Sequence, residues 1–149
     1  MIQLQFVSGK GWSSDLIEWF GHGLYSHVDC VMPDGRLLGA RLEGGVAVRS
    51  PDYEVFERVC RVGLPVEYSM ASGWAEWLLA QVGKPYDKTA IAAFAAGRDW
   101  QEPDSWFCSE LAAASLIHCG YFQWPLVVGA NKITPDDLVL VLSSHVQVI

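Results

Sequence analysis

A chain of 149 residues with 51% hydrophobic side chains, seven Trp and only 18% charged residues has the composition of one folded domain, 1–149, and excludes a disordered segment. Ten basic residues against seventeen acidic ones give a net charge of −7, which repels a phosphate backbone and sets nucleic acid aside as a partner. The apolar run Ala90–Ala96 is far shorter than the roughly 20 residues that span a bilayer, so no integral membrane segment is expected.

The start, MIQLQFVSGKGW, has no basic stretch leading into a long apolar run. The expected location is therefore cytoplasmic, or one reached without a classical signal peptide. QLQFV reads as a short strand, and SSDLIEWF, behind Gly9 and Gly11, as a short helix opened by its serines or Asp15. YSHVDCVMP and RLLGARL flank Asp34-Gly35, the clearest hairpin in the chain. VAVR and VFERVCRV are expected as a further strand pair around Ser50-Pro51-Asp52.

The helical half begins near Ser69. Trp74, Trp77, Leu78 and Gln81 recur at helical spacing between Ser72 and Val82, and Gly83-Lys84-Pro85 stops that helix. Asp87 is placed as the cap of an alanine-rich helix through AIAAFAA, followed by a polar loop, RDWQEPDSW. FCSELAAASLIHC is the next helix, with Asp104 or Ser105 as N-cap and Gly120 as terminator. Thr134 and Pro135 open a last one. Strands first and helices after give an α+β class, an antiparallel sheet packed against helices.

Cys30, Cys60, Cys108 and Cys119 are too far apart for a CxxC pair or a compact zinc knuckle, so no metal is expected of them. Cys108 differs from the others in falling within the first turn of its helix. There the unpaired N–H groups and the helix field stabilise a thiolate, and a histidinium beside it does so further. Packing is the competing reading, since Cys108, Leu111, Ala112 and Ser115 share one helical face. His27 lies off the apolar stripe of its strand: alternation puts Val28, Cys30 and Met32 on one face, and Tyr25, His27 and Asp29 on the other. A strand histidine facing a helix N-terminus can take the thiol proton and return it to a leaving group. His22 in a glycine-flanked loop, His118 at a helix end and His145 near the terminus read as structural or superficial.

YSHVDCVMPDGRLLGAR, GKPYD and SWFCSELAAASLI together resemble the circularly permuted papain-like cysteine hydrolases related to NlpC/P60, and more narrowly the YaeF/YiiX group of amidases and peptidases. Lecithin:retinol acyltransferase is similar in setting the histidine strand before the cysteine helix. The resemblance runs from Tyr25 to Ile117 and implies a permuted papain-like fold. It also implies Cys108 as nucleophile and His27 as base, cutting an amide or ester through an acyl-enzyme with no cofactor or metal. A peptide, a cell-wall fragment or an acylated small molecule is the implied substrate. Acyl transfer on the same fold and an inactive binding module are the alternatives.

Relatives carry a polar residue on the next strand to orient the imidazole, and the matching position here is Gly39. A two-residue turn sets Leu42 opposite His27, whereas a longer loop or a bulge sets Glu43 or Arg41 there. Glu43 is taken as the orienter; Asp29, two residues along the same strand, would have to reach back. Glu110 is placed as a partner of the positive helix end. Tyr25 is expected to donate toward the reacting carbonyl, and Trp106 and Phe107 to line a groove with Trp100, Phe122 and Trp124. Tyr86 is expected to shape the groove beside Asp87.

Overall fold

A computed structural model describes residues 1–9, 23–89, 104–122, 129–143 and 147–148. Strands β1 (Ile2–Ser8), β2 (His27–Val31), β3 (Leu37–Arg41), β4 (Gly45–Arg49), β5 (Arg58–Leu64) and the two-residue β6 (Gln147–Val148) form one sheet. Every neighbouring pair in its order β4-β3-β2-β1-β5-β6 is antiparallel. Helices α1 (Tyr68–Leu79), α2 (Cys108–His118) and α3 (Pro135–Leu142) complete an α+β fold, with a short 3-10 turn over Ala130–Lys132. No helix among the described residues is long and apolar enough to cross a membrane.

The sheet has one apolar face because alternate residues of four adjacent strands are apolar. Ile2, Leu4 and Phe6 of β1, Val28 and Cys30 of β2, Leu38 and Ala40 of β3, and Val62 and Leu64 of β5 share one core with Leu111, Ala112 and Leu116 of α2. Helix α1 joins through Trp74, whose indole N–H donates to Ser115 Oγ at 2.8 Å. Burial of each large side chain contributes about 1.5–3 kcal/mol, so this face anchors α2 along β2. As expected from its sequence, α3 is opened by Thr134, which accepts the Asp137 N–H at 3.1 Å, with Pro135 in the first turn.

Two expectations about the strands are corrected. VAVR does not pair with VFERVCRV: β4 is the outer partner of β3, while β5 lies across the sheet beside β1. The short Leu42–Gly44 turn leaves β4 no freedom but to fold back on β3. The hairpin loop after β2 is also longer than the Asp34-Gly35 dipeptide. Met32 N–H donates to Arg36 O and Gly35 N–H to Met32 O, and the first strand pairs are Val31 with Leu37 and Cys30 with Leu38. Carried along the strands, this register sets Asp29 against Gly39 and His27 against Arg41.

Helix α1 ends at Leu79 and not at Val82, because the residues after it strap the edge of β4. Gly83 N–H donates to Val46 O, and Val46 N–H to Lys84 O, each at 2.9 Å. Gly45 permits this approach: it has φ +60, and a Cβ there would lie 2.4 Å from Lys84 O. The strap carries Pro85, Tyr86 and Asp87 to the segment before α2, where Trp106 N–H donates to Pro85 O and Asp87 N–H to Trp106 O. The expected helices over SSDLIEWF and AIAAFAA lie outside the described residues.

Candidate active site

Helix α2 starts at Cys108 itself. Its N-cap is Phe107, and neither Asp104 nor Ser105 fills that place. Trp106 and Phe107 are held extended by the strap, so helical geometry cannot begin before Cys108. Glu110 then reaches back one turn to accept the Phe107 N–H at 3.4 Å. The Cys108 side chain is thereby fixed at the positive end of an eleven-residue helix, 3% exposed.

His27, the first residue of β2, is 1% exposed and lies close enough to the Cys108 side chain for the two to interact. Its Nε2 lies 2.8 Å from Asp29 Oδ1, and Asp29 is also 1% exposed. Buried charges persist only when paired and hydrogen-bonded, and these two are both. Burial alone would lower the His27 pKa, but the Asp29 charge, then the nearby Cys108 and the hydrogen bond with Asp29, outweigh it and raise it from 6.5 to about 9. Burial likewise opposes ionisation of Asp29; the His27 charge and donated hydrogen bonds overcome it and hold the carboxyl below its ordinary range. The pair is an imidazolium against a carboxylate at neutral pH.

Asp29 therefore holds the imidazole, and Glu43, expected as orienter, does not. Glu43 is exposed in the turn between β3 and β4, where only its carbonyl is engaged, by Arg49 at 3.3 Å. The reason is visible at Gly39, opposite Asp29. A Cβ at that position would stand 2.1 Å from Asp29 Oδ1 and 3.3 Å from His27 Nε2. The space beside the imidazole admits one group, and Asp29 fills it from the strand of the histidine itself. Glycine on the next strand is what makes the room.

A second layer, which the sequence reading missed, surrounds Asp29. Tyr53, in the loop between β4 and β5, donates its hydroxyl to Asp29 Oδ2 at 2.8 Å. Its ring lies under the Arg41 and Arg49 guanidinium groups, 4.8 and 5.9 Å from the centroid. No spacing rule links Tyr53 to Asp29, and nothing in the sequence signals the contact.

The strap also comes near Cys108, through Tyr86. Tyr86 is 8% exposed, and burial, then the Cys108 and Asp87 charges, push its phenol far upward, so it remains a neutral donor. Among the described residues its hydroxyl makes no hydrogen bond. Asp87 and Glu110 are both buried, and burial together with the Asp87 charge raises Glu110 to about 7 against the Phe107 hydrogen bond.

Three expected contributors point elsewhere. The Tyr25 ring packs on Phe6 with centroids 5.9 Å apart, and its hydroxyl lies near Cys60, because the chain bends at Ser26 and strand alternation stops there. Trp106 is tied to α1 by an edge contact with Trp77 and by its indole N–H donating to Gln81 Oε1 at 3.2 Å. Phe107 is a core side chain. Phe122 packs against Tyr121, and His118 stacks on Trp77 at the end of α2, as a structural residue does. Trp100, Trp124, His22 and His145 lie outside the described residues. All four cysteines are free, and no group of His, Cys, Asp and Glu among the described residues has the geometry to hold a metal ion.

No protein-family model matches this chain, and no curated protein matches it.

Proposed function

We propose that the protein is a cysteine hydrolase that cleaves an amide, peptide or acyl-amide, or an ester, through an acyl-enzyme on Cys108. The observation that carries this reading is the unbroken buried line from the Cys108 thiol through His27 to Asp29, set at the N-terminus of α2. A histidine strand preceding a cysteine helix, with an antiparallel sheet behind both, supports a circularly permuted papain-like arrangement for the α+β fold.

Because Nε2 is engaged by Asp29, Nδ1 is the ring nitrogen available to the thiol. In the reacting form the thiol proton already resides on His27 as the imidazolium, and the Cys108 thiolate attacks the substrate carbonyl carbon. An S–C bond forms as the carbonyl π pair moves onto oxygen. N–H groups of the first turn of α2 and the Tyr86 hydroxyl are the donors suited to that oxyanion. The tetrahedral intermediate collapses, the C–N or C–O bond breaks, and His27 gives its proton to the leaving atom. Water then adds to the thioester, losing a proton to His27, and expels the acid and the thiolate. An inactive module was favoured by the missing side chain at Gly39; Asp29 supplies the function that position lacks.

The test is acyl trapping. Incubation with an activated ester such as p-nitrophenyl acetate, acid quench and peptide mass spectrometry should find the acetyl group on Cys108. Cys108→Ala and His27→Ala should abolish it. Acetylation spread evenly over the four cysteines, or unchanged in His27→Ala, would overturn the proposal.

A further inference from the structure

We propose that Tyr53 is a positioning residue of this site, holding the Asp29 carboxylate so that one oxygen faces His27. This rests on the reading of Cys108 and His27 as a reacting pair. Asp29 has two carboxylate oxygens, and in its buried setting each has one donor: His27 Nε2 on Oδ1 and Tyr53 on Oδ2, both at 2.8 Å. With a single donor the carboxylate can turn about its last torsion, which is broad for this side chain. With two donors on opposite oxygens it cannot turn without losing both bonds.

Tyr53 is itself built to stay in place. Its ring meets Phe56 edge-on, with centroids 5.4 Å apart. Arg41, above the ring, is fixed by Glu54 at 2.6 Å. Arg49 is fixed by donating to the carbonyls of Gly39, Ala47, Glu43 and Gly45. Burial and then the Asp29 charge hold the phenol in its protonated, donating form. A loop tyrosine that only filled space would need neither the hydroxyl contact nor two cations around its ring. The loop after β4 thus reaches the nucleophile in three steps: Tyr53 to Asp29, Asp29 to His27, His27 to Cys108.

The experiment compares the intact protein with Tyr53→Phe, Phe56→Leu and Asp29→Asn. Two quantities are read at neutral pH: the rate of Cys108 carbamidomethylation by iodoacetamide, and the far-downfield proton resonance of His27 Nε2–H. Loss of one hydrogen bond to a charged group should slow Tyr53→Phe about tenfold and broaden that resonance. Phe56→Leu, which loosens the ring packing but keeps the hydroxyl, should lower the unfolding midpoint and change rate and resonance less than Tyr53→Phe does. If Asp29→Asn is slow while Tyr53→Phe keeps the wild-type rate and resonance, the role of Tyr53 is overturned and the Cys108–His27–Asp29 reading stands. If Asp29→Asn also reacts at the wild-type rate, both are overturned.

Discussion

Gly39 and Asp29 show how a single missing carbon decides a site. The Cβ that alanine would add at position 39 falls 2.1 Å from Asp29 Oδ1, so Gly39→Ala must push the carboxylate off His27. The displaced charge stays buried without its partner, a change of the class that costs about 1–3 kcal/mol or more. Gly39→Ala is therefore expected to lower the urea midpoint and to slow alkylation of Cys108 together, whereas a glycine needed only for its backbone would affect stability alone. Urea melts and iodoacetamide rates on the same preparation distinguish the two. His27 and Cys108 were legible from sequence, one by its place off the apolar stripe, the other by its place in a first helical turn. Asp29 was in view on the correct face, but preferring it to Glu43 required the register that follows from the five-residue Met32–Arg36 connection. Tyr53 lies 24 residues from Asp29 in a loop, where no periodicity applies.

At the scale of elements, the first turn of α2 combines two opposed demands. It presents N–H groups to a thiolate at Cys108 and also contains Glu110, whose negative charge so close by would resist that thiolate. Burial and Asp87 resolve the conflict by raising Glu110 from 4.5 to about 7, which keeps the carboxyl mostly protonated below neutral pH. The folded state then binds that proton more tightly than the unfolded chain. Stability from this group is full below pH 4.5 and declines as pH rises through about 7. Glu110→Gln keeps an acceptor for the Phe107 N–H and removes the titration. It should be more stable than wild type at pH 8, by on the order of 3 kcal/mol at most, and nearly equal to it at pH 4. Urea melts at the two pH values check this; an equal effect of the substitution at both would contradict it. The hairpin, α3 and the start of β1 were readable from alternation and capping residues. The partners of β4 and β5 were not, since strand patterning specifies faces and not neighbours.

For the molecule as a whole, one face of an antiparallel sheet holds the apolar core, and the His27 end of β2 meets the start of α2. The α+β class follows from the order of strands and helices along the chain. That a histidine strand and a cysteine helix converge needed the tertiary contacts among β1, β2 and α2. The charges gathered at that junction set opposite pH limits. Asp29, lowered in the fold, contributes stability that is lost as pH falls through its folded value. His27, raised in the fold, contributes stability that is full below 6.5 and lost as pH rises through about 9. The pair is intact between those limits.

The most direct test of this junction is an NMR titration of the His27 ring protons in wild type and Asp29→Asn. Wild-type His27 should titrate near pH 9, and in Asp29→Asn, with the opposing carboxylate gone and burial still in force, its pKa should fall by well over one unit. His27 titrating near its ordinary 6.5 in both proteins would contradict the account, because no Asp29-held imidazolium would then stand beside Cys108.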